Sequence, residues 1–180
     1  MDYFIQDKDI DSKRVAVFGL SRLGKAALWA SALDERFALA ISGNSGHGGA
    51  SLWRRKIGES LYSMNIRIPH WLCQNSQQFN HQEEKLPFDQ HTLLSLIAPR
   101  PLLIASAATD HLADPIGEFY GAKHASKIYD FLKVEGLGAS KMPELGEFIN
   151  TRIGYFIRTG KHDITEVDWD KFILFANKYL

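Results

Sequence analysis

Gly19-Leu20-Ser21-Arg22-Leu23-Gly24-Lys25 lies between two segments of opposite character. Residues 14–18 (Arg-Val-Ala-Val-Phe) are a short apolar, β-branched run, the pattern of a strand buried within a parallel sheet. Residues 22–33 are rich in Ala and Leu and predict a helix packed on that sheet. A strand that passes into a helix through such a short, glycine-flanked turn lifts the serine hydroxyl above the helix N-terminus. There the first unpaired N–H groups and the helix dipole favour developing negative charge. The second glycine comes one residue later than in Gly-x-Ser-x-Gly, and a purely structural Gly-x-Ser turn fits the pattern equally well. A phosphate loop fits worse: it needs a longer glycine-rich stretch and a hydroxyl after the lysine, and Ala26 follows Lys25.

The rest of the chain repeats the alternation. Residues 37–42, 101–106 and 153–158 predict three further strands. Residues 50–63, 91–97, 116–133 and 167–180 predict helices, with Gly136 and Gly138 as stop signals after the third and Glu166 and Asp168 at the start of the last. Gly43 to Gly49 and residues 139–150 read as loops, and residues 64–90 as irregular, broken at Pro69 and Pro87. Strands alternating with helices mean parallel βαβ units with right-handed crossovers. Four strands are few for such a sheet, and Asp2-Tyr3-Phe4-Ile5 reads like the end of a helix. The expectation is that the chain begins inside a larger domain.

Composition narrows the classes. With 180 residues, 45% apolar and 23% charged, the chain suits one globular domain. Twenty-one basic residues balance 21 acidic ones, so the basic excess of a nucleic-acid-binding surface is absent. No apolar run reaches the roughly 18 residues of a membrane span, and the N-terminus is too acidic and mixed for a signal peptide. Cys73 is the only cysteine, so no internal disulfide forms; its apolar setting, Pro69-His70-Trp71-Leu72-Cys73, predicts a buried, inert thiol. No cofactor or metal is expected.

A nucleophilic serine needs a base and an acid. Of the seven histidines, His162 alone follows the last strand, in Thr159-Gly160-Lys161-His162-Asp163, where the order serine, acid, histidine requires it. The acid belongs after the preceding strand. Asp110 is the first carboxylate there and the first choice; Asp114 is the second, although before Pro115 it also suits a turn or a helix cap. Glu118 is a further candidate. His111 and His124, which lack an assigned partner, read as surface residues.

On these residues the chain resembles the glucuronoyl esterases, carbohydrate esterase family 15, and most closely their bacterial branch. The resemblance begins at Gly19–Lys25 and continues through Asp34-Glu35-Arg36-Phe37, Ser45–Ala50, Arg54-Arg55, Pro69-His70-Trp71, Leu86–His91 and Leu96–Pro101. It ends with Asp114-Pro115, Gly117-Glu118-Phe119 and Gly160-Lys161-His162-Asp163. It implies a three-layer α/β-hydrolase fold with N-terminal strands missing, residues 1–180 being the C-terminal part of a single catalytic domain that needs its N-terminal half. It implies cleavage of the 4-O-methyl-glucuronoyl ester that links xylan to lignin, through an acyl-enzyme on Ser21 with His162 as base. Asp110 would be the acid, Arg22 an oxyanion ligand, and Lys25 and Glu118 substrate contacts. The alternatives are an acetyl-xylan-type or other carbohydrate esterase, or an inactive fragment or non-catalytic carbohydrate-binding relative. The partner is a carbohydrate ester, not nucleic acid or membrane, and the family resemblance implies a periplasmic or secreted protein. Three positions depart from the family. Leu20 replaces a cysteine, Asn44 stands where many members place the catalytic glutamate, and Leu112 stands near where members often carry a substrate-contacting tryptophan.

Overall fold

The computed structural model describes residues 1–180. Five strands form one sheet: β1 (Ala16–Leu20), β2 (Leu39–Gly43), β3 (Leu102–Ala107), β4 (Phe148–Ile149) and β5 (Ile153–Arg158), in the order β1-β2-β3-β5-β4. The pairs β1–β2, β2–β3 and β3–β5 are parallel, and β4 adds antiparallel to β5. Every residue of β2, β3 and β5 is buried, which is why these strands read as unbroken apolar runs. Six helices accompany them: α1 (Asp2–Gln6), α2 (Arg22–Leu33), α3 (Leu61–Arg67), α4 (Gln90–Ser95), α5 (Pro115–Phe131) and α6 (Glu166–Tyr179).

The core lies in two sheets of side chains. On one face Leu28 of α2, Leu94 of α4 and Phe119 and Tyr129 of α5 pack on Ala40, Leu102, Ile104 and Tyr155. On the other, Phe172 and Phe175 of α6 pack on Leu39, Ile41, Leu103 and Ala105. The chain is therefore a three-layer α/β fold. Helix α2 buries Gly24, Ala27, Leu28 and Ser31, the i, i+3, i+4, i+7 spacing of one helical face.

Parallel pairing brings the carboxyl ends of the strands to one rim. Leu20 at the end of β1 pairs with Gly43 at the end of β2, and Ala107 at the end of β3 pairs with Arg158 at the end of β5. Ser21, Asn44, Asp110 and His162 each follow one of these ends, so four stretches distant in sequence converge. Open parallel sheets bind ligands at this rim.

Four readings of the sequence are corrected. The first strand starts two residues later than expected, because Asp11 takes the Lys13 N–H and residues Ser12–Arg14 make a 3-10 turn. The helix expected over 50–63 is absent: Lys56 (φ +55°) and Gly58 (φ +84°) adopt left-handed backbone. Asp89, far along the chain, takes the N–H groups of Trp53 and Arg54. Only the 3-10 turn Trp53–Arg55 and α3 form there, α3 starting at a Ser60–Ser63 capping box. The loop expected over 139–150 contains β4, a two-residue edge strand. Cys73 is exposed rather than buried; in its segment Trp71 and Leu72 supply the packing, against Trp53, Leu61 and Met64.

Candidate active site

Ser21 has φ +59° and ψ −126°, a region that side chains rarely occupy. Its backbone is held there from both sides: its N–H donates to Gly43 O at 2.8 Å and its carbonyl accepts the Lys25 N–H at 3.1 Å. Glycine at position 19 makes the turn possible. A Cβ there would sit 2.0 Å from Leu23 O and 2.6 Å from Gly24 N. Ser21 caps α2 without a side-chain cap bond, which leaves its hydroxyl available and the first-turn N–H groups unpaired within the helix.

His162 Nδ1 lies 2.5 Å from Asp110 Oδ2, a short charge-assisted contact that fixes which ring nitrogen faces the acid. Asp110 is buried, and its Oδ1 also accepts the Ala113 N–H at 3.3 Å. Asp114 is occupied elsewhere. It caps α5 through the Gly117 N–H at 3.0 Å and pairs with Arg55 at 2.7 Å. Of the carboxylates left open by the sequence, Asp110 is the one on His162. His111 and His124 are exposed, as the sequence implied.

Ser21, Lys25, Asn44, Glu59, Asp110, Leu112 and His162 line one open cavity of about 310 Å³, floored by Ser45 and Gly46. Ser21 Oγ and His162 share its wall without a direct hydrogen bond. Lys25 Nζ donates to the Ser45 carbonyl and lies 3.9 Å from a Glu59 carboxylate oxygen. Burial lowers the Lys25 pKa, and Glu59, Glu118 and Asp110 oppose that shift. Asn44, with φ +44°, turns its Nδ2 to the Asp163 carbonyl at 3.2 Å, tying the end of β2 to the segment that carries His162.

Two expected site residues lie elsewhere. The Arg22 side chain is exposed and lines the neighbouring groove, with Leu23, Trp29, Met64, Trp71 and Leu72. Lys25 borders both spaces. Glu118, expected to contact substrate, has no exposed surface. This is a correction: the first turn of α5 aims it beneath the cavity floor. There it accepts the Gly46 N–H at 2.9 Å and hydroxyl donors from Ser106 at 2.6 Å and Ser45 at 3.3 Å. Burial pushes its pKa up to about 7, the negative charge of Asp110 adding to the rise and the three hydrogen bonds opposing it.

Sequence reasoning missed Glu59 and Ser45. Glu59 reaches the cavity because its N–H donates to Leu112 O at 3.3 Å, a tertiary contact that leaves no periodic trace. For Ser45 the only signal is its place in the loop after the second strand.

A family model described as fungal glucuronyl esterase matches residues 1–133. The chain belongs to the glucuronoyl esterase family. It is 53% identical, over all 180 residues, to carbohydrate esterase MZ0003 from an unknown prokaryotic organism, of which it spans 42%. Over 101 residues, 52% of the chain, it is 38% identical to 4-O-methyl-glucuronoyl methylesterase 1 of Phanerochaete chrysosporium, of which it spans 21%. Among solved structures, a promiscuous CE15 esterase from a marine bacterial metagenome superposes with TM-score 0.98 at 52% identity, over 99% of this chain and 45% of that one. The chain thus spans less than half the length of these glucuronoyl esterase relatives, which it matches in their C-terminal part, and it shares their α/β-hydrolase fold.

Proposed function

We propose that this glucuronoyl esterase family member is a serine carboxylester hydrolase acting on 4-O-methyl-glucuronoyl esters of the xylan–lignin type. In this reading residues 1–180 belong to one catalytic domain. The observation that carries it is the Asp110–His162 pair at 2.5 Å on the wall of the cavity that holds the strained Ser21. Ser21 Oγ attacks the ester carbonyl as its proton passes to His162 Nε2, and Asp110 holds the imidazole by Nδ1 and stabilises the imidazolium. The oxyanion faces the free N–H groups at the start of α2. The alcohol leaves with the proton from His162. Water then attacks the acyl-enzyme, its proton going to His162, and the uronic acid and Ser21 Oγ–H are released. Lys25 and Glu59, a donor and an acceptor side by side, suit the vicinal hydroxyls of a sugar ring.

A second reading, broader ester specificity, has support of its own. Leu112 is 62% exposed at the cavity and presents an apolar aliphatic side chain near where the family resemblance implies a tryptophan. The marine relative, 52% identical, is described as promiscuous.

The test is hydrolysis of a benzyl glucuronate ester beside an aryl acetate, with intact-mass analysis after a fluorophosphonate probe. The expected result is a single adduct that is lost in Ser21→Ala, with turnover of the glucuronate ester. An adduct that persists in Ser21→Ala removes Ser21 from the mechanism. Equal turnover of both esters favours the broader reading.

A further inference from the structure

The segment that carries His162 is exposed from Thr159 to Asp163 and contains no regular structure. Five such residues would not by themselves hold an imidazole to a fraction of an ångström, since ordering each costs about 1–2 kcal/mol of backbone entropy. Beneath them lies one buried guanidinium. Arg158 ends β5 and is 6% exposed. Its Nη1 donates to the carbonyls of Thr159 at 3.0 Å and Lys161 at 3.2 Å, and its Nη2 to that of Asp163 at 2.5 Å. Its Nε donates to Asp168 Oδ2 at 2.7 Å. One side chain thus takes three of the five carbonyls of the His162 segment.

Asp168 anchors this clamp. It is 4% exposed, and its Oδ2 also accepts the Thr165 N–H at 2.8 Å and the Thr165 hydroxyl at 2.9 Å, the capping box that starts α6. The buried positive charge is therefore paired, and the pair is tied to a helix end. Gly160 leaves room for it: at φ +98°, a Cβ there would stand 3.2 Å from Arg158 Nη1. The opposite side is tied to the acid. The Ala108 N–H donates to Arg158 O at 2.9 Å and the Thr109 N–H to Gly160 O at 3.0 Å, two residues and one residue short of Asp110.

We propose that Arg158, anchored by Asp168, is a positioning residue that holds the backbone of residues 159–163 so that His162 Nδ1 stays on Asp110. The inference rests on the reading of His162 as the base. Neither residue lines the cavity, so both act through the segment and not on substrate. Lysine cannot replace the arginine in this role. A single ammonium has three donors radiating from one point, whereas the planar fork spans three carbonyls and a carboxylate at once.

The primary readout is independent of turnover: long-range ¹H–¹⁵N NMR of the His162 ring in the 180-residue chain, which reports which nitrogen carries the proton. In the wild type the expected form is Nδ1–H, facing Asp110. Arg158→Lys should convert it to a mixture of tautomers in a folded protein. It should also lower kcat by about 10²-fold with KM little changed, the loss that a displacement of about 1 Å produces. Because Arg158→Lys risks unfolding, Asp168→Asn, which keeps the shape and frees Arg158 Nε, is measured in parallel with the same expected direction. A wild type in the Nε2–H form overturns the proposal. So does a folded Arg158→Lys or Asp168→Asn that keeps the wild-type tautomer. Absence of a fluorophosphonate adduct on Ser21, with the tautomer still lost in the variants, strikes the esterase reading and leaves the clamp standing.

Discussion

Glu118 carries the site's most exposed consequence for stability, although it never touches the cavity. Its carboxyl is fully buried under Gly46, and its pKa rises from an ordinary 4.5 to about 7. The folded chain therefore holds a proton there between those two values, where the unfolded chain has released it. The resulting stabilisation is fully present below 4.5 and is lost as pH rises through 7. At about 1.4 kcal/mol for each pH unit, the interval corresponds to on the order of 3 kcal/mol. Glu118→Gln, neutral at every pH, should flatten this dependence. Urea denaturation at pH 5 and pH 8 should show the wild type losing more stability on going to pH 8 than the variant does. Equal losses would mean that the carboxyl ionises freely when folded. The sequence placed Glu118 beside the site, as part of Gly117-Glu118-Phe119, but not beneath it. The direction in which the first turn of α5 aims a side chain depends on how that helix docks, and no local pattern records docking.

At the scale of elements, the strand-to-helix turn is tightly packed, and its two glycines differ in kind. A Cβ at Gly19 would meet backbone atoms at 2.0–2.6 Å, which only moving α2 off β1 could relieve. A Cβ at Gly24 would meet the Ser45 Cβ at 3.0 Å and the carbonyl oxygens of Gly19 and Gly43 at 3.1 Å, a milder crowding that a shift of a few tenths of an ångström would relieve. Gly19→Ala should thus cost about 3 kcal/mol or more, the upper range for overpacking. For a chain of this size that lowers Tm by about 10 °C. Gly24→Ala should cost clearly less, and thermal melts of the two variants check the order. Elements with strong local signals were readable in advance. The helix at Arg22–Leu33 matches its expected bounds because Ala and Leu at helical spacing leave no competing structure. The strand at Ile153–Arg158 matches because it is an apolar run bounded by turns. Residues 50–63 were not readable, because Asp89 reaches across 35 or more positions to take the N–H groups of Trp53 and Arg54. The acid of the site shows the same divide. Its place after a strand was legible, but the choice between Asp110 and Asp114 depends on Arg55, 59 positions from Asp114, which draws Asp114 away from His162.

For the whole molecule the surface itself is the anomaly. A folded monomer of 20.3 kDa is expected to expose about 8,800 Å², whereas this one exposes 9,699 Å². The excess, about 900 Å², is close to what one partner contributes to a stable protein–protein interface. Several exposed apolar side chains gather at one edge of the sheet. Strand β1 ends the sheet with a neighbour on one side only. Helix α2 buries Gly24, Ala27, Leu28 and Ser31, yet also shows apolar side chains outward: Leu23 (63% exposed), Trp29 (49%) and Leu33 (78%). On the opposite layer Trp169 is 47% exposed and packs edge-on against Phe18 of β1. An unpaired strand edge flanked by two apolar patches is a template for association. The 180-residue chain should therefore self-associate as its concentration rises and should bind ANS. Two substitutions aim at the two parts of this face. Ala16→Lys puts a charge on the exposed start of β1, and Leu33→Glu breaks the outward stripe of α2; neither side chain is in the core. Sedimentation velocity should show the double variant shifted toward monomer while its melt stays cooperative. A wild-type chain that sediments as a monomer at every concentration and binds no ANS would mean that the edge and the stripe are too twisted apart to act as one surface.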